Sequence, residues 1–313
     1  MTTTATRPRL GFLGVGWIGR QRMDAIVESS VADVTAVVDP AVEGSLASLE
    51  ELLAAGVDGV VIATPSALHA GQALAALENG AAVFCQKPLA LDAPTAARVV
   101  EAAKAVDRLL EVDLSYRFTD AAQQVKKVVA SGDLGEIVAV DLTFHNRHGA
   151  DKAWSTDPAL AGGGCVLDLG IHLVDLALWA LDFPPVRKVT SRLHGEPLEH
   201  YAAAQIELDS GTVLRLSCSW KLPVGRDCAV EASFYGTRGG ASLRNVGGSF
   251  VDLVAERFDA TTTTVLSEPP DEWGGRAAID WARKLGEGAG FDASAVHYVS
   301  VHEVLDLIYQ GTP

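Results

Sequence analysis

The sequence predicts an N-terminal α/β domain with a doubly wound parallel sheet, followed by an α+β domain built on a mostly antiparallel sheet. Three observations carry this. Short β-branched runs alternate with helical patterns up to about Ser115. A glycine turn, Gly14-Val15-Gly16-Trp17-Ile18-Gly19, joins the first strand pattern to the first helix pattern. Beyond Ser115 the pattern changes to alternating apolar segments separated by glycine-rich turns. The expected boundaries are 1–115 for the first domain and 116–313 for the second.

The elements follow in chain order. Residues 9–14 read as a strand running into the glycine turn, and 17–29 as a helix with Ile18, Met23, Ile26 and Val27 as its apolar positions. The run 34–38 has the continuous β-branched character of a strand buried on both faces. A short helix over 46–54 leads to a third strand, 57–63, stopped by Thr64-Pro65. A helix over 67–78 ends at Asn79-Gly80, and strand 81–85 follows. Helix 94–106, with Asp92 as its N-cap, precedes the fifth strand, 109–114. In the second part, helix 118–130 stops at Ser131-Gly132, and 136–144 alternates as a strand. A long apolar helix is expected over 166–181. Strands then follow at 186–193, 201–208, 212–220, 229–235 and 241–245, and helices close the chain near 272–285 and 294–309.

Composition excludes several function classes. The chain has 313 residues, 48% of them hydrophobic and 21% charged, which fits two folded domains and not a disordered chain. The formal charge of −15 repels phosphate backbones, so no nucleic-acid partner is expected. No uninterrupted apolar run approaches the roughly 18–20 residues of a membrane span, so no membrane partner is expected either. The segment MTTTATRPRL has no apolar signal-peptide core. The cysteines, Cys85, Cys165, Cys218 and Cys228, form no C-x-x-C pair, and the expectation is a reducing cytoplasm.

The turn Gly14–Gly19 has the G-x-G-x-x-G spacing of a dinucleotide phosphate cradle. Gly14 permits the sharp turn, Gly16 lets backbone approach a pyrophosphate, and Gly19 lets helix and strand pack closely. Such a cradle sets the anion at a helix N-terminus, which here includes Trp17 and Ile18. Asp39 lies 20 residues beyond Gly19, at the end of the next strand. A carboxylate there accepts from ribose hydroxyls and repels a 2′-phosphate, so NAD is favoured over NADP. The competing reading makes Asp39 a cap on the Asp39-Pro40 turn. Arg20, on the first helical turn, is read as solvated.

Candidate catalytic groups lie in two places. Gln86-Lys87-Pro88 follows the fourth strand at the carboxyl edge, where ligands of doubly wound sheets collect. An ammonium there can hold a substrate hydroxyl; the alternative is an ordinary surface lysine. The second place is the run Gly162-Gly163-Gly164-Cys165-Val166-Leu167-Asp168-Leu169-Gly170-Ile171-His172. Asp168 and His172 are four apart and share one face of an otherwise apolar helix. Burying both is costly unless they are paired or used, and histidine suits proton transfer near neutral pH. A buried His–Asp pair without chemistry is the alternative. Asp175 stands three past His172, where it orients that ring or caps a backbone group. No third ligand accompanies the pair at usable spacing, so no metal is expected. Weaker candidates are His145, with Asn146, Arg147 and His148 at a strand end, His69 near the cofactor edge, and Trp154 as a sugar-stacking ring. A solvated strand end, helix packing and a core position are the respective alternatives.

In its ordered set of motifs the chain resembles the glucose–fructose oxidoreductase/inositol dehydrogenase family, Gfo/Idh/MocA. These are GVGWIG, VVIATPSALHA after the third strand, the KP element, SYRF, SGDLGEI and GGGCVLDLGIHLVDL, spread over nearly the whole length. The resemblance implies a Rossmann domain and a C-terminal α+β domain with a large open sheet. It further implies NAD(P)-dependent oxidation of a secondary alcohol on a sugar, polyol or amino sugar, in a homodimer or homotetramer. It places Lys87 at the catalytic lysine, Asp168 at the substrate-orienting aspartate and His172 at the catalytic histidine. Cofactor contacts are expected from Gly14, Gly16, Trp17, Ile18, Gly19, Asp39, Thr64, Pro65, His69, Gln86 and Lys87. Substrate contacts are expected from Lys87, Arg117, His145, Trp154, Asp168 and His172.

Two departures stand out. The family's Glu-Lys-Pro element carries Gln86 here, which removes a charge beside Lys87. The loop after Asp39 is short, with Gly44 six residues before Glu50. Two rival functions stand beside this one. One is an epimerase, eliminating glycosidase or transhydrogenase that retains NAD(P) with no net redox. The other is a non-catalytic dinucleotide-sensing regulator, against which the complete Lys87, Asp168 and His172 set argues.

Overall fold

The computed structural model describes residues 7–149 and 152–311. Most of the MTTTATRPRL segment thus lies outside the described residues. The chain forms two compact units, one of 1–115 with 273–299 and the other of 116–272 with 300–313.

The first unit opens with β1 (Arg9–Leu13), α1 (Trp17–Ser29), β2 (Asp33–Val38), α2 (Leu49–Ala54) and β3 (Gly59–Ile62). It continues with α3 (His69–Glu78), β4 (Ala82–Gln86), α4 (Ala93–Ala105) and β5 (Leu110–Asp113). The strands pair in parallel in the order β2-β1-β3-β4-β5. β3, β4 and β5 are buried at every position, which explains their unbroken apolar runs. Local chemistry sets the helix starts: Asp92 accepts from the Thr95 N–H at 2.7 Å, and Ser48 accepts from the Glu51 N–H, so α2 begins later than 46. The strand order reverses between β1 and β3. Ligands of open α/β sheets bind outside the strand carboxyl ends at such a point.

The second unit contains α5 (Asp120–Ala130), β6 (Ile137–Asn146) and the short α6 (Pro158–Ala161). A π-helical turn, Val166–Gly170, then runs into α7 (Ile171–Ala180). The strands are β7 (Val186–His194), β8 (Tyr201–Leu208), β9 (Val213–Trp220), β10 (Cys228–Gly236), β11 (Gly240–Asn245), β12 (Leu253–Asp259) and β13 (Thr262–Ser267). They form one eight-stranded sheet in the order β13-β12-β11-β10-β6-β9-β8-β7. Every pair is antiparallel except β6–β9, which runs parallel with Asn146 opposite Trp220. Pro158–Ala180 is long and apolar enough to cross a membrane by length and composition alone, with a mean hydropathy of 1.5. It is mostly buried within the protein, as a core helix is.

Two results differ from the sequence reading. β12 and β13 were not anticipated. β13, the Thr-rich edge strand, is exposed at four of its six positions and so lacks an alternating signal. The residues 273–299 also fall in the first unit, although 116–313 was expected to form one domain. Helix α8 (Arg276–Gly286) explains this. Its Trp281 is fully buried against Phe84 of β4, ring centroids 5.6 Å apart, and it sits where a side chain at Gly59 would otherwise lie. Lys284 bonds Glu111 of β5 at 2.8 Å. Helix α9 (Val296–Gln310) ends in the second unit, where Ser191 donates to the Ile308 carbonyl at 2.6 Å.

Candidate active site

In the first unit the three glycines of the turn meet three different constraints. Gly14 has φ +85°, and a Cβ there would lie 2.7 Å from the Ala63 carbonyl oxygen just beyond β3. A Cβ on Gly19 would collide with the Gly14 carbonyl oxygen. At Gly16, by contrast, nothing lies within 4 Å of that position. Gly16 is also the N-cap of α1, and no side chain caps that helix. Open backbone at an uncapped helix N-terminus, set at the β1/β3 switch point, fits a pyrophosphate. Trp17 is exposed and Ile18 half-buried on this first turn, and Arg20 is exposed.

Asp39 caps its own turn, as one of the two readings has it, and makes a second contact to the glycine turn. Its Oδ2 accepts from the Val15 N–H at 2.7 Å and so braces the glycine turn. Its Oδ1 accepts from the Ala41 N–H at 2.8 Å and caps its own turn. Each oxygen keeps a second lone pair. Thr64 and Pro65 follow β3 and are half-buried; the Thr64 hydroxyl donates to Gln72 at 2.6 Å.

His69 is buried, with Nε2 2.8 Å from the Thr64 carbonyl and Nδ1 2.7 Å from the Pro88 carbonyl. It therefore ties the loop after β3 to the turn after β4. Burial pushes its imidazole below the ordinary value, against the pull of those carbonyls. Lys87 is half-buried in that turn, and the Lys87–Pro88 peptide is cis. Gln86 is buried, and its Nε2 donates to Asp113 Oδ2. Asp113 also receives Arg22 Nε at 2.6 Å and the Ser115 hydroxyl, and Arg22 reaches Ser115 at 2.8 Å. A fully enclosed ion pair thus stands behind the turn that carries Lys87.

In the second unit the π-helical turn carries Asp168, and the first turn of α7 carries His172. Both are half-buried. Asp168 Oδ2 accepts from the Trp220 indole N–H at 2.9 Å. The His172 ring sits edge-on to buried Tyr116, centroids 5.0 Å apart, with Phe144 at 6.4 Å. Burial, with smaller contributions from Cys228 and Asp168, pushes the Tyr116 hydroxyl up, so it stays protonated beside the imidazole. The start of this helical stretch is clamped by buried Glu199. Its carboxylate accepts from the Gly164 and Val166 N–H groups and the Tyr309 hydroxyl, each at 2.9 Å. A Cβ on Gly164 would collide with the Glu199 carbonyl oxygen.

The remaining candidates have partners of their own. Arg117 is committed to an ion pair: its Nε and Nη2 donate to the two oxygens of fully buried Asp175, and its guanidinium lies over Phe183. His145 is half-buried with Nδ1 2.8 Å from the Ser219 hydroxyl, and burial lowers its basicity. Arg147 and His148 are exposed and face Asp227 at 3.0 and 3.7 Å. Trp154 is half-buried in a short 3-10 turn, with the Lys152 ammonium 5.8 Å from its ring. Among the described residues no group of three or more His, Cys, Asp or Glu is placed to hold a metal. The four cysteines are free and buried.

The sequence reading did not single out Trp220, Glu199, Asp113, Arg22 or Tyr116. Trp220 and Glu199 come from strand ends far along the chain, with no local motif. Tyr116 was in view only as a letter of SYRF.

A parallel sheet with an open glycine turn at its switch point defines a dinucleotide-binding domain. The second unit carries an aspartate and a histidine four residues apart, on a π-helical turn and the helix that follows it. Residues 9–114 match the oxidoreductase family described as having an NAD-binding Rossmann fold, and residues 122–242 match the GFO/IDH/MocA C-terminal domain. The chain belongs to the Gfo/Idh/MocA family. It is 31% identical over 202 residues to D-glucoside 3-dehydrogenase of Escherichia coli (strain K12), covering 58% of this chain and 57% of that protein. The chain thus spans little more than half the length of that relative. It is 26% identical over 302 residues to inositol 2-dehydrogenase of Rhodococcus erythropolis, covering 89% of this chain and 80% of that one. The structure of GenD2 from gentamicin A biosynthesis, in complex with NAD, matches with a TM-score of 0.83 at 25% identity, covering 97% and 93% of the two chains.

Proposed function

We propose that this protein is an NAD-dependent dehydrogenase that oxidises a secondary alcohol of a cyclic polyol, sugar or amino sugar. The observation that carries the reading is the setting of His172. A half-buried imidazole packs against Tyr116 and Phe144, one turn from a carboxylate held by Trp220. An imidazole so placed can take the proton of a bound hydroxyl.

Bound nicotinamide dinucleotide supplies the hydride acceptor. His172 takes the hydroxyl proton. Asp168, held through Oδ2 by the Trp220 indole, orients a neighbouring hydroxyl and so selects which carbon reacts. Lys87 donates to the reacting oxygen and steadies the charge that develops on it. Asp39 accepts from ribose hydroxyls with its remaining lone pairs and disfavours a 2′-phosphate, which supports NAD over NADP. His69 sits between the Thr64 and Pro88 carbonyls at the cofactor edge, its neutral ring donating to one of them. Four buried free thiols fit a reducing cytoplasm. The working form is a homodimer or homotetramer, as the family resemblance implies.

The test is reduced-cofactor formation at alkaline pH over a panel of inositols, hexoses, glycosides and amino sugars, with NAD and NADP compared. NADH production on a ring alcohol, with NAD preferred at least about tenfold, supports the proposal. Cofactor that co-purifies with the protein and yields no net NADH assigns the protein to the retained-cofactor chemistry instead.

A further inference from the structure

We propose that the second unit holds a distinct subsite for the part of the substrate beyond the reacting ring, namely an apolar aglycone or second ring in glycosidic linkage. This rests on the dehydrogenase reading above. A concavity of about 690 Å³ lies where the β7–β8 connection meets the end of β9. Its apolar walls are Pro197, Leu198, Tyr201, Trp220, Leu222 and Pro223. That volume is in the range of sites that enclose whole small molecules.

Continuity with the catalytic group is the first argument. Trp220 is a wall of the concavity, and the same indole donates its N–H to Asp168 Oδ2 at 2.9 Å. A ring whose hydroxyl is held by Asp168 therefore has the Trp220 indole as neighbour, and a substituent carried past it meets the apolar walls. The second argument is chemical. Aromatic and aliphatic surfaces suit the C–H face of a second pyranose or an aryl group. The lining also holds Glu196 and Lys221, of opposite charge, with His194 and His200.

The third argument is rigidity. The connection that supplies Pro197 and Leu198 also supplies Glu199, whose carboxylate anchors the N–H groups of Gly164 and Val166 ahead of Asp168. One segment thus walls the concavity and fixes the start of the helical stretch that carries Asp168 and His172. The relation is that of a pocket built together with the catalytic helix.

The experiment compares methyl β-D-glucopyranoside with phenyl β-D-glucopyranoside on the full chain in the presence of NAD. Equilibrium affinity is read by calorimetry and kcat/KM by NADH absorbance. The wild type is expected to favour the phenyl glycoside by about tenfold or more, the return on burying a ring-sized apolar surface. Leu222→Asp, at an exposed wall position, should bring the two glycosides to near parity. Equal or absent binding of the two by the wild type overturns the subsite, as does a preference that survives Leu222→Asp. A Leu222→Asp variant that changes oligomeric mass on gel filtration while keeping the preference assigns the face to a second copy of the chain, and also overturns it. Preferential binding of the phenyl glycoside without any NADH leaves the subsite standing and overturns the dehydrogenase reading, so the two failures are read separately.

Discussion

Gln86 donates through Nε2 to Asp113 Oδ2, the oxygen that also receives Arg22 Nε at 2.6 Å. The two residues are register partners on β4 and β5, and both are buried. The family pattern has a glutamate at this place. Here the negative charge resides on the adjacent strand, and residue 86 is a neutral donor to it. A glutamate at 86 would set two buried carboxylates against one guanidinium.

Gln86→Glu should therefore destabilise the protein by roughly 1–3 kcal/mol at pH 7.5, the cost of an unmade buried hydrogen bond plus a like-charge neighbour. The new carboxyl would have a folded-state pKa raised above its unfolded value. Its penalty is then absent below the unfolded value and grows as pH rises through the folded one. Urea unfolding of the variant and the wild type at pH 5 and 7.5 checks this. Equal loss at both pH values would contradict it.

Gly16→Ala separates folding from cofactor binding. Nothing lies within 4 Å of the site a Cβ would take, and φ is −59°, which alanine accepts. Stability should stay within about 0.5 kcal/mol of wild type. NAD affinity should fall about tenfold or more, because the methyl group occupies the approach of the pyrophosphate. Undiminished affinity in a folded variant would remove the turn from the cofactor site.

His69 makes stability depend on pH. Its folded-state pKa is depressed by burial below the ordinary value of 6.5. The unfolded chain therefore takes a proton that the folded chain resists. The His69 contribution is fully present above 6.5 and is lost as pH falls through the folded value. The wild type should lose more stability than His69→Gln between pH 7.5 and 5.5 in thermal melts. Parallel pH profiles would refute this.

Glu199→Ala leaves the Gly164 and Val166 N–H groups and the Tyr309 hydroxyl without their carboxylate. The cost should be at least about 2 kcal/mol, since buried unsatisfied groups cost roughly 1–3 kcal/mol each. Turnover should fall with it while NAD affinity holds, because the clamp serves the helix that carries Asp168 and His172. Glu199→Gln should recover part of the loss in both measurements. Loss of stability with turnover per folded molecule unchanged would make Glu199 a purely structural residue.

The parts legible in the sequence were those whose signal is local. The glycine turn, the buried β3 and β4 runs and the Asp92 cap each depend on neighbours in sequence, and each was read directly. The four-residue spacing of Asp168 and His172 was equally visible, although the wider π-helical turn at Val166–Gly170 was not. What escaped depends on distant partners. The parallel pairing of β6 with β9 brings Asn146 opposite Trp220, and no pattern in either strand announces it. Helix α8 is amphipathic and fits any apolar surface; only the seat of Trp281 against Phe84 and Gly59 assigns it to the first unit. The pairing of Arg117 with Asp175, 58 residues away, is likewise announced by no local pattern.

The proposed reaction turns on His172 as the base. The most direct measurement is steady-state NAD reduction by His172→Ala on the best substrate of the panel, with NAD affinity determined on the same protein. A placed base contributes about 10²–10⁴-fold. If His172 is the base, kcat falls by at least about 100-fold while the NAD dissociation constant changes by no more than about twofold. Turnover at the wild-type level would contradict it.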